Sequence, residues 1–304
     1  MTNLLRRVQS LHYSKPPMSV MLLAMLLWAW PAGAMEPQRL TVDGRMKRDP
    51  VFLDREGAEL LYVSQDRPNR LRLMKLTLKE GQSTPLHPDE TRSEFEPAVS
   101  ADGRYLAYVQ NRGNLSLAMV VHDLVENKIT ELPPGGGFSG MHSPTFTRDN
   151  RRILLSYPED GRQSIFSVDL DCKNRQTIVT SVGVNNWPHC SPDGRQLVFS
   201  STRDDDYELY TSRTDGSRVR RLTTSPKQDI RPKFSPDGNR IAFTSGRDGN
   251  YNIYVMNAED GSCLTPVTSH QEHDDYATWH PNGGQLIIVC ERDGQFDLYS
   301  VRLP

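Results

Sequence analysis

The sequence predicts an all-β protein: a six-bladed β-propeller closed by an N-terminal strand that completes the last blade. Three observations carry that expectation. A short phrase returns six times, its spacing stays near 45 residues, and the last repeat lacks a piece that appears early in the chain. The phrase is most legible as FSPDG at 234–238. It recurs as CSPDG at 190–194, VSADG at 99–103, WHPNG at 279–283 and FTRDN at 146–150, with a looser FLDREG at 52–57. Its closing positions, Gly57, Gly103, Asn150, Gly194, Gly238 and Gly283, lie 46, 47, 44, 44 and 45 residues apart. That period is too long for a helical pair and suits one four-stranded blade.

Residues 1–34 stand outside the repeat. They hold Arg6, Arg7 and Lys15 with no acidic residue, then an apolar run over 18–30 and Ala32-Gly33-Ala34. A basic start, an apolar middle and a small-residue end read as a secretory signal, with cleavage expected after Ala34. Thirteen apolar residues are too few for a membrane span. Residues 35–304 then form one propeller domain of 270 residues, six periods of 45. Its formal charge is −5, from 33 Lys and Arg against 38 Asp and Glu. Such a chain is a poor nucleic-acid ligand, because binding needs clustered cations to displace counterions.

The four cysteines form no disulfide framework. Cys190 occupies the apolar phrase position and reads as core. Cys290 falls within a strand. Cys172 and Cys263 fall at equivalent turns of non-adjacent blades, where they should not meet. With no C-x-x-C pair, a thiolate zinc site has no basis.

The fifth repeat shows the unit best. An inner strand over 232–235 leads into Ser-Pro-Asp-Gly, a tight turn whose proline presets φ and whose glycine relieves crowding. RIAFTS at 240–245 reads as a buried strand, YNIYVMN at 251–257 as the third, and 264–268 as the outer one. The fourth repeat has a counterpart for each piece. The sixth ends after FDLYSVRLP, without an outer strand. Gln38-Arg39-Leu40-Thr41 resembles Arg220-Arg221-Leu222-Thr223, so the early segment is expected to pair with the tail and remove the exposed sheet edges.

The phrase, the Arg-Asp-Gly turns at 247–249 and 292–294, the Tyr-centred strands and the R-x-L-T endings resemble the TolB family of propellers over roughly 38–304. That resemblance implies a periplasmic platform docking an envelope protein, as the TolB propeller docks a peptidoglycan-associated lipoprotein. TolB carries an α/β domain before its propeller that contacts inner-membrane partners; here the signal leads straight into the first blade, so that half of the role does not transfer. Related repeats also occur in the gating propellers of prolyl peptidases and in a sugar-acid lyase family.

Function on a propeller is expected where residues enter the inner strands, at the channel mouth. Aligning the repeats brings Asp49, Glu96, Ser143, Trp187, Arg231 and Tyr276 to equivalent points, each just before Pro50, Pro97, Pro144, Pro188, Pro232 or Ala277. Phe95, His142 and Asp275 stand one step earlier, and Asp229 two steps earlier. The binding surface is therefore expected to comprise Asp49, Phe95, Glu96, His142, Trp187, Asp229, Arg231, Asp275 and Tyr276, since aromatics beside charges of both signs suit a protein-binding hot spot. No catalytic set is legible. Gly137-Phe138-Ser139-Gly140 has the wrong spacing for a nucleophile elbow, and Gly135-Gly136-Gly137 lacks the lysine of a phosphate loop. The recurring Arg-Asp pairs read as turn stabilisers, because a catalytic site should be unique.

No cofactor is required. The metal reading left open is calcium held by oxygen-rich Glu96, His142, Asp229, Asp274 and Asp275. The expectation is thus a monomeric, non-enzymatic binder of an envelope protein or peptide. The alternative is an exported, metal-dependent lyase-like protein acting on acidic oligosaccharides, with His142 and Arg231 engaging carboxylates.

Overall fold

A computed structural model of the chain describes residues 37–113, 116–134 and 140–303. The expected secretory signal lies outside the described residues, as does the glycine-rich stretch 135–139. Among the described residues, twenty-four strands form six four-stranded sheets. Among the described residues no helix is long and apolar enough to cross a membrane.

The fifth blade runs Asp229–Phe234, Arg240–Ser245, Asn252–Asn257 and Thr265–Pro266 from inside out. Its inner strand therefore begins three residues before the expected 232 and ends one before 235. Its outer strand is only two residues long, as is that of the fourth blade, Arg220–Arg221. The apolar second strand is buried almost throughout, as its composition requires.

Packing is shared between neighbours. Six hydrophobic clusters each straddle two adjacent blades. In one, Ala242, Ile253 and Val255 of blade five meet Trp279, Leu286 and Ile288 of blade six. In another, Phe52, Leu60 and Tyr62 of blade one meet Ile287, Val289 and Leu298 of blade six. The last interface is therefore packed like the others, and the ring is closed.

The closure is hydrogen-bonded as well. Gln38–Arg39 pairs antiparallel with the chain's last strand, Gln38 opposite Ser300 and Arg39 opposite Tyr299. The Arg39 guanidinium donates to the buried Asp297 carboxylate, Thr41 Oγ1 donates to the same carboxylate at 2.7 Å, and Leu298 N donates to Thr41 Oγ1 at 3.0 Å. Blade four repeats this with Arg221, Thr223 and Glu208: 2.8 Å and 2.5 Å to the carboxylate, and 3.0 Å from Leu209 N to Thr223 Oγ1. The R-x-L-T ending thus carries a physical role, an arginine and a threonine closing on a buried carboxylate of the neighbouring strand.

The phrase turns interlock neighbouring blades. Ser100, Ser191 and Thr147 donate to the aspartate two residues on. In WHPNG, His280 replaces the serine, and its Nδ1 accepts from Asn282 N at 3.1 Å. Its ring also packs edge-on against Phe52 with centroids 4.9 Å apart, over Gly57. A Cβ at Gly57, where φ is +75°, would lie 2.2 Å from His280 Nε2. All four cysteines are unpaired thiols, Cys190 and Cys290 buried. Burial pushes the Cys190 thiol up to about 12, which makes it inert.

Candidate functional site

Every inner strand contains the same irregularity. Between Arg48 and Val51, Phe95 and Ala98, His142 and Thr145, Asn186 and His189, Ile230 and Lys233, and Asp275 and Thr278, the pairing slips by one residue. Each slip is a β-bulge, and proline fits there because the extra residue has no ladder bond to lose. The residue before it is left-handed in all six blades: Asp49, Glu96, Ser143, Trp187, Arg231 and Tyr276 have φ between 52° and 55°. None is glycine. A non-glycine residue held there costs on the order of 1 kcal/mol or more, so the ring stores strain at one level of the channel.

At that level the six left-handed residues, Pro50, Pro97, Pro144, Pro188, Ala277 and Lys233 enclose a constriction of about 50 Å³. The inner strands enter from one mouth of the channel, the start side. They leave at the other, the turn side, where the phrase turns frame a wider cavity of about 690 Å³.

Charges at the constriction are mostly paired. Arg48 Nε donates to Asp49 at 2.7 Å and its Nη2 lies 3.5 Å from Glu96. Glu96 also meets His142 Nδ1 at 3.3 Å and accepts from Ser143 N at 2.6 Å. Burial opposes ionisation of Glu96, but His142, Arg48 and the Ser143 N–H together hold it below the usual carboxylate range. Burial raises Asp49 despite Arg48, and Glu96 adds to the rise. Burial pulls His142 down, yet its bond to Glu96 outweighs that and leaves it raised.

Across the ring, Arg231 lies between two aromatics, its Cζ 5.0 Å from the Trp187 ring and 4.2 Å from the Tyr276 ring. Its Nη1 donates to Asp275 at 3.0 Å and its Nη2 to Tyr276 Oη at 3.2 Å, while Nε is buried without a partner among the described residues. Burial pushes the Tyr276 phenol up to about 12, so it stays protonated. Asp275 is fixed by Thr244 Oγ1 and by the Tyr276 N–H, both at 2.7 Å. Tyr207 flanks Trp187 with ring centroids 5.3 Å apart. The result is a half-buried aromatic and guanidinium cluster facing a Glu–His–Arg cluster across a narrow hole.

The structure brings Asp49, Glu96, Trp187, Arg231 and Tyr276 to the constriction, with His142 and Asp275 bonded to its members. Phe95 instead packs against the cluster between blades one and two. Asp229 does not reach the channel surface. It is fully buried, accepting from Ser245 Oγ at 2.6 Å and from Arg247 at 2.9 Å. That pair explains the recurring Arg-Asp turns: Arg203 reaches Asn185 and Arg292 reaches Asp274 in the same way. The second turn residue accepts the tyrosine hydroxyl of the next strand, as Asp248 does from Tyr254. With Asp229 and Asp274 committed to arginines, the five residues considered for calcium do not converge. Among the described residues no group of three or more His, Cys, Asp or Glu is placed to hold a metal ion.

Two channel residues were not legible as site residues: Lys233, and Tyr207 behind Trp187. Lys233 stands one residue after Pro232 on the inner strand. The equivalent positions Thr145, His189 and Thr278 line the channel as Lys233 does, whereas Val51 and Ala98 pack into clusters between blades, so the position after the proline gives only a partial signal.

A family model described as the TolB beta propeller domain matches residues 139–303. The chain belongs to this family. No curated protein matches it in sequence. Among solved structures, it is similar to a putative TolB from Agrobacterium tumefaciens, with 20% identity and a TM-score of 0.67 over 86% of this chain and 91% of that one. TolB from Acinetobacter baumannii gives 20% identity and a TM-score of 0.65 over 82% of this chain, which spans 65% of that structure. An oligogalacturonate lyase in complex with manganese gives 15% identity and a TM-score of 0.58, covering 88% and 92%. These likenesses establish the fold.

Proposed function

We propose that this protein is a non-enzymatic binding platform of the cell envelope, exported to the periplasm, that captures a partner protein or peptide segment at the start-side mouth. The observation that carries this reading is the strained ring itself. Six left-handed residues are kept where glycine would relax the backbone, and they present different side chains on one rigid level. Strain retained against an available relief points to function. Arg231 between Trp187 and Tyr276, braced by Asp275, has the composition of an interface anchor. The constriction is too narrow for a chain to pass, so a partner would seat a loop or terminus against it. The lyase reading has no comparable support, because its proposed cation ligands are dispersed and salt-bridged.

The test is capture from envelope extract by the wild type and by a Trp187→Ala/Arg231→Glu variant. Loss of at least about 30-fold in affinity is expected, on the order of 2 kcal/mol for a central anchor, in a variant that circular dichroism shows to be folded at the assay temperature. Undiminished capture by a folded double variant would move the site elsewhere.

A further inference from the structure

The turn-side cavity contains an unpaired positive group that the start-side mouth does not use. Lys233 lines both the constriction and the wider cavity, and its ammonium has no hydrogen-bond or ion-pair partner among the described residues. The neighbouring carboxylates are already engaged: Asp49 by Arg48, Glu96 by His142 and the Ser143 N–H, Asp275 by Arg231. One blade away, His189 accepts from Phe234 N at its Nδ1 at 3.1 Å. That bond places the ring proton of the neutral imidazole on Nε2, where it is a free donor. Thr145 and Thr278 line the same cavity at the level of Lys233 and His189, and neither hydroxyl has a partner among the described residues. Two nitrogen donors and two hydroxyls therefore line one cavity, and among the described residues none of these four groups has a hydrogen-bond acceptor.

We infer that this cavity is a binding site for a monoanionic carboxylate, one oxygen on Lys233 Nζ and the other on His189 Nε2, with the body of the ligand filling the funnel towards the phrase turns. A single positive charge matches a monoanion, and paired donors match the two oxygens of a carboxylate. About 690 Å³ accommodates a small molecule or the end of a peptide. The carboxylate has two sources, a peptide C-terminus or a sugar acid. This inference does not rest on partner capture at the other mouth, because the cavity opens at the opposite end of the channel.

The experiment titrates purified protein with trialanine and trialanine amide, both N-acetylated so that the first is a monoanion and the second uncharged, and with glucuronate, glucose and inorganic phosphate. It follows the His189 imidazole and Lys233 side-chain resonances by NMR, assigned by their loss in His189→Phe and Lys233→Met. Saturable shifts with trialanine or glucuronate, and none with the amide or glucose, are expected. Lys233→Met should weaken binding at least about tenfold, and Lys233→Arg should retain it. Trialanine binding alone assigns the site to a peptide terminus, and glucuronate binding alone to a sugar acid. Unmoved resonances at about 50 mM of both carboxylates, a millimolar range that covers the weakest useful affinities, would overturn the site. So would equal binding by Lys233→Met, or by the uncharged analogues or phosphate.

Discussion

Replacing Asp297 by alanine tests the latch. Its side chain is 2% exposed and accepts from Arg39 and Thr41. The fully buried Lys47 ammonium lies 3.3 Å away, contacting Asp43 and the carbonyls of Arg45 and Phe296 as well. Truncation leaves a buried cation with only a half-exposed counter-charge and frees the first strand. Removing one partner of a buried pair costs about 3–5 kcal/mol, a large fraction of the roughly 5–15 kcal/mol that holds a domain. At about 2–4 °C per kcal/mol for a chain of this size, the melting temperature should fall by roughly 6–20 °C. Glu208→Ala is the matched control, because it removes the same arginine and threonine interactions within one blade without touching closure. Urea unfolding followed by circular dichroism, with hydrogen exchange of Arg39 and Leu40, reads both effects. Asp297→Ala should expose those amides and Glu208→Ala should not. Burial raises the Asp297 carboxyl, but Thr41, Arg39 and Lys47 outweigh it and hold it below the ordinary range. Its contribution is therefore present above the unfolded carboxylate pKa and is lost as pH falls through the folded value. The variant should flatten that acid limb. A loss under about 1 kcal/mol, the level of an exposed ion pair, would refute the latch.

Three other outcomes follow from the ring. Ser143→Gly should be at least as stable as wild type in urea, whereas Ser143→Val should lose about 1–2 kcal/mol, because a branched residue tolerates the left-handed region worst. Gly57→Ala should cost about 2 kcal/mol, and in a His280→Ala background only the backbone part, about 1 kcal/mol, should remain in a double-mutant cycle. The His142 pKa should lie above the ordinary 6.5 or so in an NMR titration and fall in Glu96→Gln. The stability from that pair is full below the unfolded value and is lost as pH rises through the folded one.

The architecture was legible because a propeller repeats its turns, and Ser-Pro-Asp-Gly specifies a turn locally. Even the two-residue closing strand could be found, since Arg39 and Thr41 repeat the chemistry of Arg221 and Thr223. The inner strands were less legible. Proline at 232 reads as a strand start, and only the recurrence of proline at one register in five blades signals a bulge. Left-handed φ at Trp187 or Tyr276 is invisible to residue preferences, which reserve that conformation for glycine and asparagine. Asp229 shows the complementary failure. Alignment places it near the channel, but a carboxylate two steps before the bulge points into the blade, and its partner Arg247 is 18 residues away.

Hydrogen exchange of the protein with and without its captured envelope partner tests the central claim most directly. Protection should concentrate on peptides around 44–50, 92–97, 141–144, 185–188, 228–232 and 273–277, the segments that carry the left-handed ring. Protection confined to the outer strands, with those segments exchanging as in the free protein, would contradict it.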